Sequence, residues 1–279
     1  MKKISRRSFL AAAGLSVAAL ALTACGGSSA STASSVASSA ASSEAASTSA
    51  AAGELTTVEA GKLTMATNAT FPPYEMTTDA GDIEGIDVET AQAIADKLGL
   101  ELQIDDMDFD AALLSVQQGK ADIVMAGVTV TDERKAVMDF SDSYATGIQS
   151  IIVPEGSDIA SPDDLAGKKI GTQRGTTGYI YCSDDFGDEN VVAYDDGLTA
   201  VQALNNGQVD AVVIDNAPAK EFVAANPGLV ILDTSYAEED YAIGMAKGSS
   251  LEDAVNAALE ELKADGTLQA IVDKYITAE

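Results

Sequence analysis

From Lys62 onward the sequence alternates short runs of β-branched and apolar residues with amphipathic helical patterns. The stretches "KLTMAT" and "ELQI" predict strands, and "DVETAQAIADKLG" between them predicts a helix that ends at Gly99. The alternation resumes after residue 150 with the strand patterns "KKIGT", "NVVAY" and "VDAVVI" and the helical pattern "LTAVQALNNG". Such alternation predicts an α/β fold in which helices cover parallel sheets.

One segment of the chain is repeated. The stretches "SVQQGKADIVMAG" (115–127) and "ALNNGQVDAVVID" (203–215) align without gaps. Each combines a helix end, a glycine stop and a buried strand, so the pair predicts two lobes of similar design. The alignment places Gly127 and Asp215 at equivalent carboxyl ends of strands, where open α/β sheets form their ligand crevice.

Three features near these strand ends suit an α-amino acid. The planar fork of Arg134 suits a carboxylate. The stretch "GTQRGTTG" (171–178) lies between a strand and a helix, where backbone N–H groups attract an anion. Asp215 ends an apolar run, and a desolvated carboxylate needs a partner such as an ammonium group.

Structural interpretations of the same residues remain open at this stage. Arg134 could pair with a nearby acid on a solvated face. Asp215 could instead cap the helix predicted for "NAPAKEF". The acids within reach of Arg134 are Asp132, Glu133 and Asp139.

The composition excludes several classes of function. The chain has no histidine, which removes the Ser-His-Asp triad, the Cys-His dyad and histidine metal ligands. The segment "DMDFDAALLSVQ" (106–117) resembles a calcium loop, but Ala111 and Gln117 occupy positions that need Gly and Glu. "GTQRGTTG" lacks the spacing of a phosphate or dinucleotide loop. We therefore expect no metal and no cofactor.

The charge balance is strongly acidic. The formal net charge is −28, and the acids are spread along the chain. Such a surface repels nucleic acid and anionic lipid, so we expect no nucleic-acid partner.

The first 54 residues differ from the rest. Residues 1–25 combine a basic start, an apolar run and the sequence "LTAC", which resembles the lipobox of bacterial lipoproteins with Cys25 as the acylated residue. "SRRSFL" resembles a twin-arginine motif, so the export route stays open. Residues 26–54 are almost entirely Ala, Ser, Thr and Gly, which predicts a disordered tether about 30 Å across.

Two other residues carry structural expectations. Cys182 has no cysteine partner once Cys25 is acylated, and we expect it to be a buried apolar residue. The side chain of Arg174 is expected to point away from the crevice, with the pocket rim as the alternative.

Taken together, the motifs resemble the polar amino-acid solute-binding proteins, family 3, of ATP-binding-cassette importers. The resemblance runs over about 60–276, in the family's order. It rests on "ATNATFPPYE", "GIDVETAQAIADKLG", "DFDAALLSVQQGKADIVMAGVTVTDERKAVMDFSDSY", "LAGKKIGTQRGTTG", "GQVDAVVID" and "ADGTLQAIVDKY".

This resemblance implies a two-lobed, periplasmic-binding-protein-like fold of type II with two crossover hinge segments. Lobe 1 would comprise 56–145 plus 241–279, and lobe 2 would comprise 146–240. The hinges would lie near Thr146-Gly147 and near Asp240-Tyr241, and the lobes would close on the ligand.

The resemblance also implies how the main chain of the ligand would be bound. Arg134 matches the arginine that binds the α-carboxylate, with Thr129 and Thr177 as supporting donors. Gly127 matches a position whose carbonyl accepts from the ligand ammonium, and Asp215 matches the carboxylate that pairs with it.

The ligand side chain would contact a second group. Phe71 matches an aromatic that covers the ligand side chain, and Phe109 would form the other wall. Asn68 matches a position that is often Asp in relatives, and Gln173 matches a position that varies with the ligand. Thr176 is a further candidate ligand-binding residue. These departures leave the identity of the amino acid open.

The implied function is an extracytoplasmic receptor on the outer face of the cytoplasmic membrane, held there by its lipid anchor. It would bind a free polar amino acid and deliver it to a membrane permease with an ATPase subunit. The alternative is an enzyme on the same fold, similar to cyclohexadienyl dehydratase, in which Glu75 or Asp215 would do acid–base work. A sensor module is less favoured, because no signalling domain follows in the sequence.

Overall fold

The computed structural model of the protein describes residues 55–276. The expected leader 1–25 with Cys25, the expected tether 26–54 and the last three residues lie outside the described residues. Within the described range, no helix has both the length and the apolar character needed to cross a membrane.

The described chain contains an ordered series of strands and helices. The strands are β1 (Lys62–Thr67), β2 (Thr70–Phe71), β3 (Glu75–Thr77), β4 (Ile83–Glu84), β5 (Glu101–Asp106), β6 (Ile123–Val124), β7 (Met138–Phe140), β8 (Ala145–Pro154), β9 (Ile170–Gln173), β10 (Val191–Tyr194), β11 (Ala211–Asp215), β12 (Leu229–Ile231), β13 (Ala237–Tyr241) and β14 (Gly244–Ala246). The α-helices are α1 (Ile86–Leu98), α2 (Phe109–Gln117), α3 (Asp132–Val137), α4 (Thr177–Phe186), α5 (Gly197–Asn205), α6 (Asn216–Ala225), α7 (Glu252–Ala264) and α8 (Thr267–Tyr275).

These strands form two mixed sheets and a small antiparallel one. The first sheet has the order β5-β1-β6-β14-β7, and the second has the order β10-β9-β11-β8-β12 with β13 also paired to β8. The small sheet is β2-β3-β4. The α/β class with two sheets agrees with the expectation from the sequence.

The expectation of parallel sheets is correct for only part of each sheet. Strands β5, β1 and β6 are parallel, as are β10, β9 and β11, but β14 and β8 run antiparallel to their neighbours. Parallel pairing requires a long crossover, usually a helix. The connections from β7 to β8 and from β13 to β14 contain no helix and pass from one sheet to the other, whereas helices lie between the successive parallel strands of each sheet.

The repeated segments have the same local structure. Helices α2 and α5 are each followed, two residues after their last residue, by a glycine with a φ of +66°, Gly119 and Gly207 respectively. Strand β6 lies beside β1 with Ile123 opposite Met65, and β11 lies beside β9 with Ala211 opposite Ile170. The equivalence that the sequence predicts is therefore confirmed. The predicted strand 121–127 is buried throughout, but only its centre pairs within the sheet.

The buried side chains lie where the patterns place them. Helix α1 buries Ala91, Ile94 and Ala95 on one face, and Leu98 is partly buried beside them. Cys182 is free and fully buried, as expected, and burial raises the pKa of its thiol to about 12.

The chain passes between the two sheets twice, and the two passages lie side by side. Strands β8 and β13 pair antiparallel, with Thr146 opposite Asp240 and Ala145 opposite Tyr241. The Tyr241 ring packs directly on Gly147, where an added Cβ would lie 2.5 Å from the ring. This contact fixes the spacing of the two passages next to the crevice.

Candidate functional site

A cavity lies at the carboxyl ends of β1, β6, β9 and β11, which is where an α/β sheet places its ligand crevice. It contains about 400 Å³ of empty space, including the part that opens to solvent. All ten ligand-binding candidates from the sequence line it: Asn68, Phe71, Phe109, Gly127, Thr129, Arg134, Gln173, Thr176, Thr177 and Asp215.

Arg134 enters the cavity from α3, whose first turn is held by the Thr131 hydroxyl accepting from the Arg134 N–H at 3.2 Å. Its side chain is only 8% exposed. Nη1 donates to the Thr129 carbonyl at 2.7 Å and Nη2 donates to the Gly175 carbonyl at 3.1 Å. The guanidinium also lies over the Phe109 ring, 5.4 Å from its centre. Because a guanidinium has five N–H donors, three remain for a ligand carboxylate.

The surface ion-pair interpretation of Arg134 is wrong. Among the described residues, none of the three nearby acids forms an ion pair with it, and Asp139 instead pairs with Lys247 at 2.6 Å. Burial lowers the pKa of Arg134, but an arginine stays charged at any physiological pH. The cavity therefore contains a desolvated positive charge.

Asp215 ends β11 and is 2% exposed. Its Oδ1 accepts from the Ala217 N–H at 3.1 Å and so caps α6, and its Oδ2 accepts from the Ile148 N–H at 2.7 Å. Burial raises the pKa of Asp215 to about 6. The helix-cap interpretation is thus correct, and it coexists with a position on the cavity wall.

The backbone at Gly127 suits only glycine. Its φ is +55°, which disfavours an L side chain, and its N–H donates to Asp87 Oδ2 at 3.0 Å. An added Cβ would lie 2.9 Å from Phe71 Cε1 and 3.1 Å from Tyr241 Cε2. The close approach of two rings explains why this strand end lacks a side chain.

Sequence reasoning missed Glu239, a buried carboxylate beside the cavity. Its Oε2 accepts from Thr129 Oγ1 at 3.1 Å, from Thr177 Oγ1 at 2.9 Å and from Gln149 Nε2 at 3.0 Å. Its Oε1 is buried without a hydrogen-bond partner among the described residues. The sequence pattern that could have predicted its burial is the strand alternation in "AEEDY", which puts Glu239 on the same strand face as Tyr241.

Two aromatic rings and two side-chain amides also line the cavity. Phe71 and Phe109 are both buried. Gln173 Nε2 donates to Asn68 Oδ1 at 2.8 Å, and Asn68 Nδ2 donates to the Met107 carbonyl at 3.0 Å. The side-chain amides of Asn68 and Gln173 are therefore polar groups of the cavity that carry no formal charge.

Glu75, which the sequence suggested only as an acid–base residue of the enzyme alternative, lies on the cavity wall and is fully buried. Burial, together with the neighbouring Asp87, raises the pKa of Glu75 well above its usual range. Burial also raises the pKa of Asp87 to about 6. The raised pKa favours the protonated, neutral form of this carboxyl group. The sequence around Glu75, which directly follows "PPY", has no hydrophobic periodicity that would predict a buried side chain.

In the stretch 171–178, Thr176 and Thr177 line the cavity and Arg174 does not. Thr176 caps α4 by accepting from the Tyr179 N–H at 3.3 Å, which leaves Thr177 in the first turn. Arg174 is exposed and is not among the residues that line the cavity, in agreement with the expectation that its side chain points away from the crevice, and it pairs with Asp195 at 3.3 Å. Within 55–276, no cluster of Cys, Asp or Glu could hold a metal ion.

Comparison with known proteins identifies related binding proteins. Residues 63–278 match the model of the bacterial extracellular solute-binding proteins, family 3. The chain is 34% identical over 226 residues to the L-cystine-binding protein TcyJ of Escherichia coli (strain K12), covering 79% of this chain and 85% of the relative.

Solved structures of arginine-binding proteins share the fold. The arginine-, lysine-, histidine-binding protein ArtJ of Geobacillus stearothermophilus is 34% identical with a TM-score of 0.75, covering 78% of this chain and 96% of that one. An ancestral arginine-binding protein bound to glutamine is 42% identical with a TM-score of 0.75, covering 78% and 99%. The two-sheet architecture therefore matches periplasmic-binding-protein structures of type II.

Proposed function

The chain belongs to the bacterial extracellular solute-binding proteins, family 3, and from that membership we propose that it binds a polar amino acid in this cavity and delivers it to an ATP-driven importer. The observation that carries the proposal is a single cavity whose lining includes both a buried cation and a buried anion. Arg134 supplies the cation and Asp215 the anion. An α-amino acid has the complementary pair of charges.

The α-carboxylate of the ligand would bind Arg134. The guanidinium is held by the Thr129 and Gly175 carbonyls, so its remaining donors are fixed in direction before the ligand arrives. A fixed fork binds a carboxylate through two parallel hydrogen bonds. Thr176 and Thr177 lie at the start of α4, where the helix N-terminus adds attraction for negative charge.

The α-ammonium of the ligand would lie between Asp215 and the Gly127 carbonyl. Asp215 already accepts two backbone hydrogen bonds, and a carboxylate has about four acceptor sites, so capacity remains for an ammonium. A bound ammonium would also offset the burial that raises the pKa of Asp215.

The ligand side chain would lie between the rings of Phe71 and Phe109 and end near the amides of Asn68 and Gln173. Amides both donate and accept, so this end suits a polar side chain. The similar proteins are named for cystine, for arginine, lysine and histidine, and for arginine with bound glutamine. We propose the class of polar amino acids for this chain.

The lobe boundaries follow from the same proposal. Lobe 1 is 56–145 plus 241–279, lobe 2 is 146–240, and the hinges lie in the paired passages near Thr146-Gly147 and Asp240-Tyr241. Arg134 lies in lobe 1 and donates to the Gly175 carbonyl in lobe 2. This direct bond between the lobes supports closure around the ligand.

The setting of the receptor is a further part of the proposal. Residues 1–25 would direct export, Cys25 would carry the lipid anchor, and residues 26–54 would form the tether. The body would work outside the cytoplasmic membrane and hand its ligand to a permease with an ATPase subunit. The similar proteins are named as binding proteins, which favours a receptor over the enzyme alternative.

The test is a ligand panel. The chain lacking residues 1–25 is unfolded, freed of small molecules and refolded. Thermal-shift and calorimetric titrations with the standard amino acids and cystine follow. We expect saturable binding of at least one polar amino acid. A folded, ligand-free protein that binds none of them would refute the proposal.

A further inference from the structure

Two donors expected to bind the ligand carboxylate, the hydroxyls of Thr129 and Thr177, already bind a carboxylate of the chain itself. Thr129, Thr177 and Gln149 come from different parts of the fold, and each donates to Glu239 Oε2 at 2.9–3.1 Å. Glu239 is only 7% exposed. The structure thus contains a formed anion site whose occupant is a side chain.

Glu239 also balances the charge of the buried arginine. The two hydrogen bonds of the Arg134 guanidinium go to neutral carbonyls, and no acid of the described chain pairs with it directly. The field of Glu239 opposes the effect of burial on the pKa of Arg134. Glu239 is therefore a counter-charge to Arg134 in this structure.

The carboxylates of Glu239 and of the ligand compete for the same threonine hydroxyl protons. A threonine hydroxyl has one proton and can donate one hydrogen bond at a time. While Thr129 and Thr177 donate to Glu239, neither can donate to a ligand carboxylate. Two carboxylates beside one arginine in a desolvated site also repel each other.

We propose that Glu239 is an internal competitor of the ligand α-carboxylate and so a determinant of affinity. It holds the hydroxyls of Thr129 and Thr177 and the field of Arg134 while the site is empty, and it yields them when the ligand binds. This inference rests on the proposed function, because it assumes a ligand with a carboxylate at Arg134.

The competitor role has a signature that a structural role lacks. In Glu239→Gln the side chain keeps its shape but loses its charge. The unliganded protein then has a buried arginine without a counter-charge, so its melting temperature falls. Ligand binding meets less repulsion and weaker competition, so affinity rises. Replacing a residue that only supports the fold would lower both the melting temperature and the ligand affinity.

The matched control is Glu238→Gln, the adjacent residue of β13, which is exposed. Both variants lose one negative charge from the same strand. The amino acid that binds the parent protein is titrated calorimetrically into both variants after ligand removal, and unliganded melting temperatures are recorded. We expect Glu239→Gln to bind at least about tenfold more tightly and to melt lower, with Glu238→Gln close to the parent. Unchanged or weaker binding by Glu239→Gln would overturn the proposal.

A second arm needs no ligand. Melting temperatures are compared for the unliganded parent, Glu239→Gln, Thr177→Val and the double variant. Effects that do not add would support the contact, since coupled partners share an interaction energy. Additive effects would sink the inference even if the parent binds an amino acid. A parent that binds none of the panel would instead refute the proposed function, and the two failures stay distinct.

Discussion

Replacing Arg134 with alanine tests the carboxylate site most directly. The structure leaves the guanidinium with three free N–H donors, enough for a bidentate contact with a ligand. A hydrogen bond to a charged group contributes about 1.5–3 kcal/mol, so two contribute about 3–6 kcal/mol. At 1.4 kcal/mol per factor of ten, Arg134→Ala should weaken binding roughly 10²–10⁴-fold.

The matched control is Arg174→Ala, since Arg174 is exposed and pairs only at the surface. Calorimetric titration of both variants with the same amino acid gives the two affinities. We also expect a lower melting temperature for Arg134→Ala, because the carbonyls of Thr129 and Gly175 lose their donor and Glu239 loses its counter-charge.

Arg134→Lys separates charge from geometry. A lysine keeps the positive charge but lacks the planar fork, so its affinity should fall between those of the parent and the alanine variant. Binding by Arg134→Ala within a few fold of the parent, with the variant still melting cooperatively, would refute the assignment of the carboxylate site.

Three further predictions concern the cavity wall and pH. Gly127→Ala should destabilise the protein by about 1–3 kcal/mol and weaken binding, whereas Gly156→Ala, at a positive φ in open space, should cost less in the same melting assay. Gly147→Ala should also lower the melting temperature, because the new methyl would meet the Tyr241 ring; a parent-like value would contradict this packing. The folded pKa of Asp215, about 6, lies above its ordinary value, so its contribution to unliganded stability is present at low pH and is lost as pH rises through 6. Because an ammonium needs the ionised form, affinity measured from pH 8 to 5 should fall below pH 6, and a flat profile would argue against Asp215.

Local sequence patterns predicted the ends of the parallel strands well. The repeat placed Gly127 and Asp215 at equivalent positions because a helix end, a glycine and a buried strand follow each other within about a dozen residues. Each step depends on near neighbours in the chain. The three parallel strands of each sheet and the cavity at their carboxyl ends follow from the same short-range pattern.

Features that depend on distant pairing were not predictable in this way. The strand "AEEDY" is polar, and Glu239 becomes buried only because β13 pairs with β8, about 90 residues earlier in the chain. The antiparallel pairing of β8 with β11 and of β14 with β6 likewise joins strands that lie far apart in the chain. Glu75 is buried by the fold around it, and its local sequence carries no such signal.

The pairing of β8 with β13 has a mechanical consequence. Two strands joined by a ladder of hydrogen bonds form a ribbon that bends across its face far more easily than it shears along its length. If the two sheets rotate about the proposed hinges, both strands of this ribbon must bend together. Glu239 lies on the ribbon, so such a rotation would also move the carboxylate that contacts Thr129 and Thr177.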